Sequence, residues 1–327
     1  MKSKAIYINS FDLQDTFQTR RLIELSSYAN PNKYAITDNP CDADIILLCD
    51  AKFSNYCEKI RMNKVLKKYT NKCFVLSNVD RPVTIYRGLY GSAEKSFFNF
   101  GRIRSCSYTD VHEPFKNSFI AQHNFNDVLP KEYLFSFIGR NCHESRRRIF
   151  EKEFIRKDIF IEDSTEIFNL YEKETRVLAR EKFYYETLLK SKFSLCPRGW
   201  GATSYRLFES MQLGVAPVII SDEWVFPKGP KWDQFSIIIK TRELPQLEQI
   251  IADKEDRYKE MGKLAKFNFD EFFSDKKYFT YIIENCLELK SKQLIPELFY
   301  YHLNPALLFF FKAKTKFKNI LGRFQTT

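Results

Sequence analysis

No stretch of this chain reaches the about 18 to 20 consecutive apolar residues that a membrane-crossing helix needs. Its start enters a strand-like run at Ala5–Ile8 with no signal-like apolar segment before it. The eight cysteines form no Cys-x-x-Cys pair, which excludes zinc ribbons and dithiol redox motifs. Reduced, partly buried thiols in a cytosolic protein are the expectation. No cluster of His, Cys and Asp carries metal-ligand spacing. His123 and His143 lack supporting neighbours and read as structural or surface histidines. Internal repeats and low-complexity linkers are missing. So is any RNP-like, zinc-finger or helix-turn-helix signal, which weakens a nucleic-acid-binding reading despite the charge.

What is present is a globular composition, 44% hydrophobic and 28% charged over 327 residues, enough for two α/β domains. The 32 Phe and 18 Tyr, with many Lys and Asn, fit a genomic base bias as well as a function. A net charge of +11 calls for an anionic partner: nucleic acid, anionic lipid or a phosphorylated substrate. The positive charge is clustered. One cluster, Arg146–Arg148, follows the turn Gly139-Arg140 and reads as a solvated helix face; the other is the C-terminal tail.

Strand-like runs at Ala5–Ile8, Ile45–Cys49 and Cys73–Leu76 alternate with helical patterns and imply a parallel sheet. A loop-rich stretch comes next, over Gly91–Asn126. With a boundary at Leu129-Pro130, the domains are 1–130, 131–290 and a basic, aromatic tail 291–327. The second domain is expected to open with strand Tyr133–Ile138, helix Glu144–Phe154 and strand Asp158–Ile161. Strand Phe235–Ile239 comes later, and Tyr278–Leu289 reads as a closing helix that crosses back to the first domain.

Ser191–Asp222 is the most informative segment, reading strand, glycine-containing turn, helix, strand. Lys192–Cys196 is the first strand and Pro197–Gly201 the turn. Thr203 or Ser204 caps a helix to about Leu213, Gly214 stops it, and Val215–Ile220 is the next strand. A turn at the carboxyl edge of a parallel sheet is where open α/β folds bind ligands. The helix start offers unbonded N–H groups and a positive dipole end suited to phosphate. Arg198 and Arg206 add forked cations that grip phosphate oxygens, with Gly199, Thr203 and Ser204 lining the same turn. Glu209 is an acceptor with the reach to take hydroxyl hydrogens of a sugar ring; the plainer alternative is an Arg206–Glu209 surface ion pair.

This segment resembles the exostosin family of glycosyltransferases, through Cys196–Gly199, Ser204–Glu209, Gly214 and Pro217–Asp222. Weaker likeness runs through Phe135–Arg148 and on to Trp232, Phe235 and Leu244, with a loose echo at Tyr108–Pro114. The resemblance implies a GT-B architecture: two Rossmann-like domains facing a cleft, the second holding most of the donor. It implies sugar transfer from a nucleotide sugar, a UDP-sugar first, to a glycan or lipid-linked acceptor with inversion, in cell-surface polysaccharide or glycoconjugate synthesis. The nucleotide sugar is a substrate, and no cofactor is implied. The run Glu209–Val218 resembles the ribose-binding segment of GT-B enzymes, where a glutamate accepts both ribose hydroxyls. Retaining GT-B enzymes carry a second glutamate eight positions earlier; here that position is Gly201.

Transfer needs the leaving diphosphate neutralised, the nucleoside held, and a base for the acceptor proton. Arg198, Arg206 and the N–H groups of 201–204 suit the first, with Arg140 assisting. Asp110, His112 and Glu113 are the base candidates. Asp222 either approaches the donor sugar or closes a loop before Trp224. The Asp42-x-Asp44 motif precedes an apolar run, whereas metal-dependent GT-A transferases place theirs after a strand, so donor binding is expected to be metal-independent. The competing readings are a GDP-fucose-dependent fucosyltransferase-like enzyme, a nucleic-acid-binding protein, and a membrane-associated protein that binds nucleotide without turnover. In the tail, Leu307–Phe311 precedes Lys312, Lys314, Lys316, Lys318 and Arg323, interleaved with Phe317, Ile320, Leu321 and Phe324. As a helix this suits an anionic bilayer surface, placing a cytoplasmic protein peripherally on the inner face of the plasma membrane. The alternative is a terminal helix packed on the protein with solvated lysines.

Overall fold

The computed structural model describes residues 3–11, 16–49, 62–95, 101–108, 116–124, 129–167 and 178–324. The chain divides into two compact units, one of Met1–Cys106 with Phe279–Thr327 and one of Ser107–Tyr278. Each carries its own parallel sheet.

Among the described residues the first unit builds six strands, β1 Lys4–Ser10, β2 Tyr34–Ile36, β3 Ile45–Cys49, β4 Cys73–Ser77, β5 Gly88–Tyr90 and β6 Ile103–Ser105, in the order β2-β1-β3-β4-β5-β6. Every pairing is parallel. β3 and β4 are buried at all positions, as expected of uninterrupted apolar runs in a sheet covered on both faces. The described residues of the second unit form five strands, β7 Tyr133–Gly139, β8 Ile159–Asp163, β9 Ser191–Pro197, β10 Ala216–Ile220 and β11 Ile237–Ile239. Their order is β8-β7-β9-β10-β11, again all parallel. Phe135, Phe137, Phe193, Leu195, Val218 and Ile220 of these strands form its core with Ile149, Leu247 and Met261 from the covering helices. Two doubly wound Rossmann-like units in one chain is the composition that GT-B requires.

Glycine punctuates the signature segment. The helix Tyr205–Gln212 turns Leu207, Phe208 and Met211 inward and ends where Gly214 adopts φ 68°, a left-handed conformation that carries no Cβ penalty there. Its buried face packs on the helix Tyr258–Phe272.

Three boundaries differ from the sequence reading. The division falls at Cys106/Ser107, not at Leu129-Pro130. β6 completes the first sheet, and residues beyond it pack on the second unit. The Tyr108 ring lies 4.3 Å from that of Tyr205, Asn117 Nδ2 donates to Glu181 O at 2.9 Å, and Ile120 clusters with Leu188, Leu213 and Val215. The loop-rich stretch 91–126 therefore contains a strand, three residues long and too short to show a period. Lastly, 291–327 is not a separate tail. The helix Glu297–Phe324 belongs to the first unit, as does most of the helix Asp275–Ser291, whose first turn lies in the second.

Candidate active site

In the second sheet the strand order reverses between β7 and β9, neighbours paired at Ser136 and Ser194. Ligands of doubly wound sheets bind outside the carboxyl ends of the strands at this reversal. Two turns leave the sheet there. Gly139, the last residue of β7, gives way to Arg140, which is exposed. Pro197 ends β9 and leads into Arg198, half-buried, then Gly199 and on to Ser204. Arg198 N–H donates to Ile220 O at 3.0 Å, fixing the second turn to the end of β10.

One side chain joins the two turns. Arg146, on the helix Glu144–Phe150, is 9% exposed. Its Nε donates to Arg198 O at 3.0 Å, its Nη2 to Pro197 O at 3.2 Å and its Nη1 to Arg140 O at 3.2 Å. A Cβ added at Gly199 would sit 3.1 Å from this guanidinium, so glycine lets the turn close over it. This corrects the reading of Arg146–Arg148 as a solvated face: Arg147 is exposed, but Arg146 points inward beside Ile149. The signal was available, because Ile149 marks the inner face and Arg146 precedes it by three positions.

Ser204 is the N-cap residue of the helix Tyr205–Gln212 but makes no side-chain capping bond, and its carbonyl accepts Leu207 N–H at 3.2 Å, so the helix starts at the second turn. Thr203 and Ser204 are both buried. Arg206 sits lower than expected. It is 9% exposed, its Nη2 donates to Ile138 O, and its guanidinium carbon lies 4.7 Å from the Phe137 ring centre and 5.5 Å from that of Tyr184. It supplies charge from beneath the turns rather than a clamp at their rim.

Glu209 accepts a hydrogen bond from Tyr184 Oη at 2.6 Å, which departs from the alternative of a surface pair with Arg206. Burial pushes its carboxyl above the ordinary value, with the Tyr184 bond and the Arg206 charge pulling the other way. Tyr184, on the helix Leu178–Leu189, is driven well above its own ordinary value, first by burial and then by the Glu209 charge. Nothing in the sequence singled it out, though it shares a helix face with the buried Leu188 four residues on. Cys196, inside the signature, is buried and pushed up to about 11, so it is no nucleophile.

Asp222 holds Thr241, accepting its N–H at 3.0 Å and its hydroxyl at 2.5 Å. It ties the start of the loop after β10 to the residues after β11. His143 caps its own helix by accepting Ser145 N–H at 3.1 Å, and His123 Nδ1 lies 2.8 Å from Tyr185 Oη. In the Asp-x-Asp motif, Asp44 accepts Ala5 N–H and Asp42 accepts from Asn39. Asp110, His112 and Glu113 lie outside the described residues.

A family model for the exostosin GT47 domain matches residues 108–253. Those residues are similar to exostosin-family GT47 domains. Both turns, Arg146, Tyr184 and Glu209 fall within that range. A probable glycosyltransferase of Arabidopsis thaliana is 35% identical over 95 residues, covering 27% of this chain and 20% of the relative. A probable β-1,4-xylosyltransferase of the same plant is 36% identical over 71 residues, 21% of this chain and 17% of the relative. The matched stretch thus spans a fifth or less of these relatives' own length. Among solved structures, an α1,3-fucosyltransferase gives a TM-score of 0.42 at 11% identity, covering 91% of this chain and 92% of the other.

Proposed function

We propose that this protein is a glycosyltransferase that moves a sugar from a nucleotide-sugar donor, a UDP-sugar, to a glycan acceptor with inversion and without a metal ion. The observation that carries this reading is the pair of cationic turns at the strand reversal, Arg140 and Arg198, bound together by Arg146. The leaving diphosphate would rest on Arg198 and the first-turn N–H groups of the helix Tyr205–Gln212, with Arg140 beside it and the Arg206 charge below. Glu209, further along that helix, would take the ribose hydroxyls after exchanging its bond with Tyr184 for them. The relatives' names, a glycosyltransferase and a xylosyltransferase, fit transfer onto a polysaccharide. A base among Asp110, His112 and Glu113 would accept the acceptor proton.

Calorimetric titration with UDP and GDP, followed by a donor panel scored by nucleotide release, tests this reading. UDP is expected to bind and GDP not; the reverse selectivity would favour a fucosyltransferase-like enzyme. Arg198→Ala is expected to lower turnover about 10²- to 10³-fold, the scale of a lost charge-stabilising group. Full activity in excess chelator is expected, and rescue of a chelated enzyme by manganese would refute the metal-independent step.

A further inference from the structure

The helix Glu297–Phe324 buries two polar side chains and exposes several large apolar ones. Glu297 and Asn304 are buried beside Tyr300 and Leu307. Glu297 accepts from Arg102, through Nε at 3.2 Å and also through Nη2, and Gln293 Nε2 donates to it at 2.8 Å. Arg102 lies over the Tyr300 ring at 3.9 Å, and Arg87 Nε stands 4.0 Å from the same carboxylate. The start of the helix is thus fixed to the first unit by a buried ion cluster. Its exposed large apolar side chains include Leu298, Phe299, Leu303, Phe309 and Phe310, the fourth 69% exposed. At 3.6 residues per turn these fall on one side of the cylinder. The connection before the helix adds Leu294, 96% exposed. A contiguous apolar surface of this kind marks an interaction site.

The sequence of the same helix indicates what covers it. From 312 on it brings Lys312, Lys314, Lys316, Lys318 and Arg323. By helical register, positions Phe317, Ile320, Leu321 and Phe324 continue the apolar side, and the five cationic positions border it. Among the described residues no helix is long and apolar enough to cross a membrane. Two copies of this helix packed together would bring their cationic borders into repulsion, whereas anionic headgroups complement them. We propose that this face lies in the plane of an anionic phospholipid bilayer, its phenylalanines and leucines in the acyl boundary and its lysines among the headgroups. Its 28 residues would reach about 42 Å along the surface.

The test is co-sedimentation of the full chain with phosphatidylcholine vesicles, with and without phosphatidylglycerol. Binding is expected to need the anionic lipid and to weaken as salt rises. Phe309→Asp with Phe310→Asp is expected to lower vesicle affinity at least about tenfold. Lys316→Glu and Lys318→Glu should each cost about fivefold or more. Thermal unfolding of each variant at the wild-type temperature would establish that the fold is intact. Equal affinity for neutral vesicles, or no vesicle binding by the wild-type chain, would overturn the proposal. So would self-association in sedimentation velocity that the phenylalanine substitutions abolish, which would assign the face to a second copy. Vesicle binding requires no nucleotide sugar, so either outcome leaves the transferase reading to its own test.

Discussion

Replacing Arg146 with methionine removes a side chain that donates to both turns, and its cost can be worked from three bonds. The carbonyls of Arg140, Pro197 and Arg198 lose donors at 3.2, 3.2 and 3.0 Å. A buried acceptor left without a partner costs about 1–3 kcal/mol. The Arg140 oxygen keeps the Cys142 N–H at 3.0 Å, so the other two set an upper range of about 2–6 kcal/mol by that measure, reduced because no guanidinium then has to be desolvated. A net loss of about 3–5 kcal/mol is expected, the range for truncating one member of a buried charged network. For a unit the size of Ser107–Tyr278 each kcal/mol shifts the midpoint by about 2–4 °C. The assay is differential scanning calorimetry of the full chain, then UDP titration well below the lowered midpoint. Arg146→Lys should recover only part of the loss, because an ammonium cannot present the planar fork that meets three separated oxygens. Affinity for UDP is expected to fall in both variants, as the turns no longer hold a common position. A midpoint within about 2 °C of wild type would refute the three-bond account. A large midpoint loss with unchanged UDP affinity would show that Arg146 supports the fold and not the site.

Glu209→Gln carries opposite expectations for stability and binding. Because burial raises the Glu209 carboxyl above its ordinary 4.5, the folded state binds the proton more tightly than the unfolded one. The stability tied to the protonated form is present below that value and lost as pH rises through the raised one. The Gln variant should therefore melt like wild type in acid and above it at neutral pH, while binding UDP more weakly; a pH-independent difference in midpoint would contradict this. Glu297→Ala leaves Arg102 and Arg87 buried without their carboxylate and should destabilise the first unit by about 3–5 kcal/mol in denaturant unfolding. Native alkylation at mildly alkaline pH should modify the exposed Cys41 first and leave Cys73 and Cys196 intact, since burial pushes these thiols up to about 12 and about 11. Peptide mapping that finds Cys196 labelled early would place the signature strand outside the core.

The features legible in the sequence are those written in long runs. Ile45–Cys49 and Cys73–Ser77 are apolar nearly throughout because parallel strands are covered on both faces, so β3 and β4 stand out. The signature segment shows its turn through Pro197 and Gly199 and its helix stop through Gly214. Strands β5 and β6, three residues each, have no period to detect; only pairing, β5 with β4 and β6 with β5, makes them strands. The domain boundary is hidden for the same reason, since β6 belongs to one sheet while Tyr108, two residues after Cys106, stacks in the other unit. Residue type alone does not assign the arginines. Arg146 and Arg147 are adjacent and chemically identical, yet one bonds three backbone oxygens and the other is exposed; a rotation of one residue along the helix decides it.

The buried charges of the two units are satisfied in different ways, and the difference bears on which of them suits a ligand. In the first unit Arg102 and Arg87 share the Glu297 carboxylate, which cancels one of the two charges and fixes a helix. In the second, Arg146 is oriented by carbonyl oxygens and Arg206 by a carbonyl and two ring faces. Neutral dipoles hold a guanidinium in place without cancelling its charge as a carboxylate at contact distance would. The carboxylate nearest in the helix, Glu209, is bonded to a phenol and is itself drawn toward its neutral form by burial, which weakens its claim on that charge. The Arg206 charge beneath the two turns is therefore held without a contacting carboxylate among the described residues. A diphosphate arriving there would gain from that charge already in position, held by a dipole and ring faces that it need not displace.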